Sequence, residues 1–497
     1  MAVVALLACA TARVPAARRG PEGDRLADGA WLADPYRWLE DDRNPEVVAW
    51  ARDQDARTRR FLDALPQRRE LRAALEAASS YPRMGPPWRR GGRTFVLRNA
   101  GREPHDVLWV SEAGLEGGRA LLEPSRFGPR RSLAGVATSR DGRRLAYAVS
   151  ESGTDWQTWR VRDVDRGIDT PDEVSNSKFS TATWQDTPPG FYYVHYPRPP
   201  AGAPASTQDA QPSVRLHLLG QDEAADREVF RHPDPAYTVD TQVTDDGRWL
   251  VVFAAPGDDK RSLVYLRPLA TADAPMRPVV ARLEGRWTLA GSDAASLWFV
   301  TTQDAPRGRL VRLRGADGAV ETVVPQGPDT LLRATHGAGR FVLQYLRDAR
   351  AHVVVVDERG ANPTTVPLPG VGAVDGFDTG GAGEAYYVFN SPTTPPEVWH
   401  LDLATVTARR IFAPRLAFEA PELVTHQDFV ASDDGTRVSA FVSHAVNLPR
   451  DGTRRVRLYG YGGFNAPVRP TFNPSDYVWM ARGGVFAAAV IRGGGEY

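Results

Sequence analysis

One cysteine, Cys9, stands among 497 residues. No internal disulfide can form, and no cysteine-based metal site can be built. Histidine is sparse as well. The nine are scattered, with no His-x-His or His-x-x-x-His pair, so the sequence predicts no metal and no cofactor. Surplus charge of either sign is also missing. Lys+Arg and Asp+Glu both number 61, which removes the electrostatic reason to expect nucleic acid as a partner. No stretch reaches the ~20 apolar residues of a membrane span, so none is expected.

What remains is a globular balance, 42% hydrophobic and 25% charged. The length exceeds what one core holds and implies two or more units. Residues 1–30 read as a leader and linker. Ala2 to Ala12 is apolar, and Leu6-Leu7-Ala8-Cys9 looks like the lipobox of a bacterial lipoprotein signal. The run is short, however, and no Lys or Arg precedes it. An exported, periplasmic lipoprotein and a cytoplasmic protein with an unstructured leader both stay open.

Residues 31–79 read as helical. Asn44 is a good N-cap, Pro45 suits the first helical position and Glu46 the positive dipole end. The helix should run through Val47, Trp50, Phe61, Leu62 and Leu65 until Pro66 breaks it. A second stretch, Arg68 to Ala78, places Leu71 and Leu75 on one face. The direct role of this region is a packing cap.

From about residue 80 the period becomes strand-like, as in Thr94–Leu97, Leu145–Val149 and Trp249–Phe253. Turns ahead of such runs fall near Gly92, Gly142, Gly190, Gly247, Ala294, Gly339 and Gly383, at gaps of 50, 48, 57, 47, 45 and 44 residues. Seven units of that size fit the ~40–50-residue repeats of a β-propeller over 80–416. A run of β-sandwiches would not give so even a spacing. The clearest repeat pair is Ser139-Arg-Asp-Gly142-Arg-Arg-Leu145 and Thr244-Asp-Asp-Gly247-Arg-Trp-Leu250.

Residues 417–497 change pattern again. Asp428–Val438 reads as a hairpin around Asp434-Gly435, and Val456–Tyr459 reads as a strand. Val485–Ile491 lacks polar alternation, the mark of a strand covered on both faces in a parallel α/β sheet. Between them Tyr459-Gly-Tyr461-Gly-Gly463-Phe464 ends a strand in glycines that let the backbone turn and approach a ligand. A phenol there, at the carboxyl end of an α/β sheet, suits oxyanion stabilisation. Taken alone, the same residues also make a plain strand and turn.

That turn and Arg492-Gly-Gly-Gly-Glu-Tyr497 resemble two loops of the prolyl oligopeptidase family, serine peptidases that cut short peptides after proline. Further matches, in the family's order, are Asp34-Pro-Tyr-Arg-Trp-Leu-Glu40, Ser150-Glu-Ser-Gly-Thr-Asp-Trp156, Lys178-Phe179-Ser180 and Ser391-Pro-Thr-Thr-Pro-Pro396. The likeness runs from about residue 31 to the end. It implies a mainly β protein: a seven-bladed β-propeller inserted in an α/β-hydrolase domain with an N-terminal helical segment. It also implies that Tyr461 is the oxyanion donor, that Phe464 lines the pocket for the proline ring and that Phe179 touches the peptide further upstream. For both phenylalanines the alternative is core filling. Gly462-Gly463-Phe464 resembles the proline-specific branch, where a related class cutting after basic residues carries Gly-Ser-Tyr. Val490 departs from the family's usual Asn.

The family's nucleophile elbow, Gly-x-Ser-x-Gly, has no counterpart among these residues, and all nine histidines precede Tyr461 where the family places its histidine last. No triad can be assembled. The expectation is therefore the N-terminal portion of a prolyl oligopeptidase-type endopeptidase, truncated ahead of its serine, acid and histidine. Such a portion would be a monomer, inactive alone, with a proline-containing oligopeptide as the parent's substrate. The alternative, a propeller module that binds peptides or proteins without catalysis, predicts a chain ending in a linker near Leu416.

Overall fold

The computed structural model describes residues 17–200, 211–271, 273–314, 319–379, 383–449, 451–463 and 465–495. The chain divides into two compact units, Met1–Ala74 and Leu75–Tyr497. Among the described residues no helix is long and apolar enough to cross a membrane. The Leu6–Cys9 segment lies outside the described residues.

In the first unit Gly23–Arg25 pairs with Trp31–Ala33, and a helix spans Pro45–Asp63. It begins as expected: the Asn44 side chain accepts from the Glu46 N–H at 2.9 Å, and Pro45 occupies the first turn. It stops short of Leu65, which the sequence placed within it. Trp38 meets Trp50 edge to face at 6.2 Å. Phe61 is 64% exposed and Leu62 and Leu65 are also exposed, so this helix leaves apolar side chains uncovered. A second helix spans Arg68–Ser79.

The second unit is built mainly of β-strands, from Arg83 to Val490. Antiparallel sets of strands follow one another in sequence, each packed on the next. The first is Arg83–Leu122. An eight-stranded sheet over Arg131–Phe230 is two four-stranded halves whose strand ladders meet, among the described residues, only at Ser177 opposite His195. Four more four-stranded sheets cover Tyr237–Val280, Trp287–Val324, Thr330–Thr365 and Ala373–Phe412. The seven turns marked in the sequence lead into the strands starting at Arg93, Arg144, Gly190, Trp249, Ser296, Arg340 and Glu384.

These strands carry the unbroken apolar runs because neighbouring sets cover both of their faces; Gly190–His195 and Ser296–Thr301 are buried throughout. Shared clusters fasten the sets in order. Tyr192 and Val214 pack with Val239 and Leu250, Val251 and Val264 with Leu297 and Phe299, and Val342 and Val353 with Phe377 and Tyr387. The predicted repeat pair shares one turn. Asp141 and Asp246 each accept from the hydroxyl two residues back at 2.6 Å, and Gly142 and Gly247 take φ of 69° and 68°. The first and last sets also meet. Arg89 bonds Glu384 at 2.8 Å and Arg90 bonds Asp378 at 3.2 Å, across nearly 300 residues of chain.

The last strands form a separate sheet in the order Leu423–Ala431, Arg437–Ala445, Val485–Val490, Val456–Tyr461. The expected hairpin is there, turning at Gly435 with φ 80°. One expectation needs correcting. Only Val456–Tyr461 and Val485–Val490 run parallel; the other pairs are antiparallel. Val485–Val490 is buried on one face alone, because helix Pro474–Ala481 covers Phe486, Ala488 and Val490 while Val485, Ala487 and Ala489 stay half-exposed. Val456–Tyr461 is an edge strand, exposed at every residue. Ala349, from the hairpin joining Arg340–Arg347 to Arg350–Asp357, inserts into this sheet's core, and Asp348 O accepts from Gln427 Nε2 at 2.7 Å.

Candidate active site

Tyr461 ends the strand Val456–Tyr461, in register with Val490 at the end of its parallel neighbour. The two glycine-rich loops therefore leave the sheet side by side, at the carboxyl edge where α/β sheets bind ligands. They interlock through backbone. A side chain on Gly462 would lie 2.3 Å from the Arg492 carbonyl oxygen, and one on Gly493 would lie 1.9 Å from that of Gly462. Gly493 also holds φ at 93°, open only to glycine at low cost. Arg492 secures the second loop to the hairpin turn, pairing with Asp434 and donating to the Thr436 hydroxyl at 2.8 Å. The Arg492 guanidinium holds the Asp434 carboxyl well below its ordinary range.

Gly493→Ala should thus force the loops apart, costing on the order of 1–3 kcal/mol of local strain. Hydrogen exchange checks this: faster exchange within residues 458–463 and an unchanged propeller region are expected.

The Tyr461 ring folds back over Gly463, where an added Cβ would stand 3.3 Å from the phenol oxygen. The residue is 41% exposed, and its hydroxyl has no hydrogen-bond partner among the described residues. It is free to donate. Arg457, Tyr459 and Tyr461, alternate residues of one strand face, line a cavity of about 440 Å3. The segment Ala466–Thr471, Asn473, Asp476, Phe486 and Ala488 complete it. The Asn473 side chain caps the helix by accepting from the Ser475 N–H at 2.8 Å, with Pro474 at its first position. Asp476, buried in the first turn, pairs with Arg457. Burial pushes the Asp476 carboxyl up, and Arg457 opposes that shift.

The segment after Tyr461 is tied to the last propeller-like sheet. Arg469 bonds Asp375 at 2.9 Å, the Phe472 N–H donates to Asn390 Oδ1 at 2.8 Å, and Phe472 meets Tyr81 edge on at 6.0 Å. The sequence reading missed Arg457, Arg469 and Asp476. Asn473-Pro474-Ser475-Asp476 is a helix-start signal that could have found the last of them.

Phe464 lies outside the described residues. Phe179 follows the strand Ile168–Lys178, in a different sheet from Tyr461. It does not fill core: it is 61% exposed, with φ of 46°. The Lys178 Nζ stands 5.4 Å from its ring and Tyr196 meets it edge on at 6.2 Å. A non-glycine residue in left-handed backbone costs of order 1–3 kcal/mol and is held there by its surroundings. Among the described residues no group of His, Cys, Asp and Glu could hold a metal ion.

Residues 11–412 match the family model described as "Prolyl oligopeptidase, N-terminal beta-propeller domain". The chain is 31% identical over 478 residues to a prolyl endopeptidase of Elizabethkingia meningoseptica, covering 94% of this chain and 67% of that one. It is 26% identical to prolyl oligopeptidase A of Galerina marginata, over 97% of this chain and 71% of that one. A structure solved in a study of two prolyl endopeptidases superposes with TM-score 0.91 at 31% identity, over 97% of this chain and 72% of its own. Prolyl oligopeptidase B of Galerina marginata, bound to a 25mer macrocyclization substrate, shares the fold with TM-score 0.91 at 23% identity, over 98% and 73%.

Proposed function

The chain belongs to the prolyl oligopeptidase family, and from that premise we propose that it forms the propeller and the first hydrolase strands of a serine endopeptidase cutting short peptides after proline. The consecutive sets of four or five strands over 80–416 are read as seven blades, closed where Arg89 and Arg90 meet Glu384 and Asp378. Residues 417–497 begin the α/β-hydrolase domain, with 31–79 as its helical portion.

The observation that carries this reading is the pair of interlocked loops, which leaves the Tyr461 hydroxyl, unbonded among the described residues, at the carboxyl edge of a parallel strand pair. There it would donate to the oxyanion as a serine attacks the peptide carbonyl, and the acyl-enzyme would then be hydrolysed by water. Phe464 would face the proline ring, and Phe179 the upstream peptide. The substrate is a proline-containing oligopeptide and the chain works as a monomer. These residues include no Gly-x-Ser-x-Gly, so the chain by itself should bind and not turn over.

Fluorescence anisotropy with a labelled peptide tests this. The chain should bind Ala-Pro-Ala sequences more tightly than the Pro→Ala control, and Phe179→Ala should weaken binding roughly tenfold, as loss of one aromatic contact does. Equal binding of both peptides would sink the proposal. So would cleavage by this chain alone, which would place a nucleophile among these residues.

A further inference from the structure

The outermost strand of the first set, Arg119–Leu122, has four residues, while Trp156–Asp163 and Ile168–Lys178 across from it have eight and eleven. So short a strand cannot cover so long a face. A wedge of about 820 Å3 is left between the two sets, within the size range of ligand pockets. Trp156, Thr158, Arg160 and Arg162, alternate residues of one strand, line it.

The acids of the wedge are largely used up. Glu173 pairs with Arg160 at 2.9 Å and Asp169 with Arg162 at 2.7 Å. Two of its five arginines are not. Arg131 and Arg198 also line it and have no carboxylate partner among the described residues. Arg198 is nevertheless well oriented: it lies 4.5 Å from the Trp156 ring centre and donates to Asn176 Oδ1 and the Ser175 carbonyl at 3.0 Å. Arg160 Nε is buried with no acceptor among the described residues. A buried donor without a partner is costly, and an incoming carboxylate would relieve that cost.

Trp156 links the wedge to Phe179. Lys178 Nζ stands 4.9 Å from the Trp156 ring and 5.4 Å from the Phe179 ring, so one cation–aromatic stack joins the cavity to that contact. We propose that the wedge receives the upstream portion of an extended peptide substrate and favours aspartate and glutamate side chains in it. This rests on the reading of Phe179 as a peptide contact.

The test uses the full chain and labelled peptides sharing one Ala-Pro-Ala unit, preceded by a run of glutamate, glutamine or lysine. Glutamate should bind about tenfold more tightly than glutamine, the size of one charge-assisted hydrogen bond. The advantage should shrink in high salt and vanish in Arg131→Gln/Arg198→Gln, both exposed positions, which should bind the glutamate and glutamine peptides alike. Equal binding of the glutamate and glutamine peptides overturns this inference and leaves the proline reading intact. A proline-free glutamate peptide that binds as well assigns the wedge to a separate acidic partner and also overturns it. Binding of none of the peptides overturns both readings.

Discussion

Tyr461→Phe should lower kcat by roughly 100- to 1000-fold in a polypeptide that continues this chain into a Gly-x-Ser-x-Gly segment, with KM nearly unchanged. The magnitude is that of one oxyanion donor removed. The split follows from timing, since the phenol gains its full bond only when the carbonyl oxygen carries charge. The structure makes the substitution clean. The Tyr461 hydroxyl bonds nothing among the described residues, and the ring rests on Gly463, so phenylalanine keeps the packing and removes only the donor. Steady-state kinetics on a chromogenic proline peptide provide the check. A parallel rise in KM would point to a binding role, and unchanged kcat would remove Tyr461 from the chemistry.

The second large effect concerns stability. His217, wholly buried, lies between Asp226 at 2.8 Å and Asp172 at 3.3 Å, and Tyr193 donates to Asp226 at 2.9 Å. Asp172 belongs to the first half of the eight-stranded sheet and His217 to the second, whose backbones pair only at Ser177 and His195. The imidazolium therefore bolts two halves that the strand ladder barely joins. Burial works to lower its pKa, but the Asp226 and Asp172 carboxylates outweigh that and raise it. For Asp172, burial pushes up while the Thr170 hydroxyl, the Gly220 N–H and His217 pull further down.

His217→Ala leaves buried carboxylates without a counter-charge and should cost about 3–5 kcal/mol. The pH dependence follows in sign. A raised histidine pKa gives stability that is complete below the unfolded value near 6.5 and is lost as pH rises through the folded value. A lowered aspartate pKa gives stability that is complete above about 4 and is lost as pH falls through the folded value. Denaturant melts should place the bolt's maximum between about pH 4 and 6.5. His217→Ala should flatten that profile, and a variant as stable as the parent at pH 5.5 would rule the bolt out.

Much of the architecture was legible in the sequence because turns and burial leave local marks. Asp-Gly turns need left-handed glycine, and doubly covered strands need unbroken apolar runs, so the even spacing of Gly92 through Gly383 located the strands that follow. Asn44-Pro45-Glu46 fixed a helix start for the same reason. The last sheet was misjudged where the signal is tertiary. Val485–Val490 reads as doubly covered, yet among the described residues one face alone is covered, by helix Pro474–Ala481 with Ala349 and Val468.

At the candidate site, Tyr461 and the glycines could be named from sequence, but their interlocking is a long-range fit between Gly462 and Gly493. Arg457–Asp476 and His217 between its aspartates are side-chain meetings across 19, 9 and 45 residues, which no local pattern records. The wedge beside Trp156 depends on a strand being short, a property of pairing partners and not of any motif.

If the Tyr461 loop faces the substrate's proline carbonyl, it lies within crosslinking reach of the residue just after proline. A peptide with a photoreactive group placed just after proline, crosslinked to this chain and mapped by mass spectrometry, tests it most directly. The account predicts labelling within residues 459–464, suppressed by excess unlabelled proline peptide. Labelling confined to other segments, with 459–464 untouched, would contradict it.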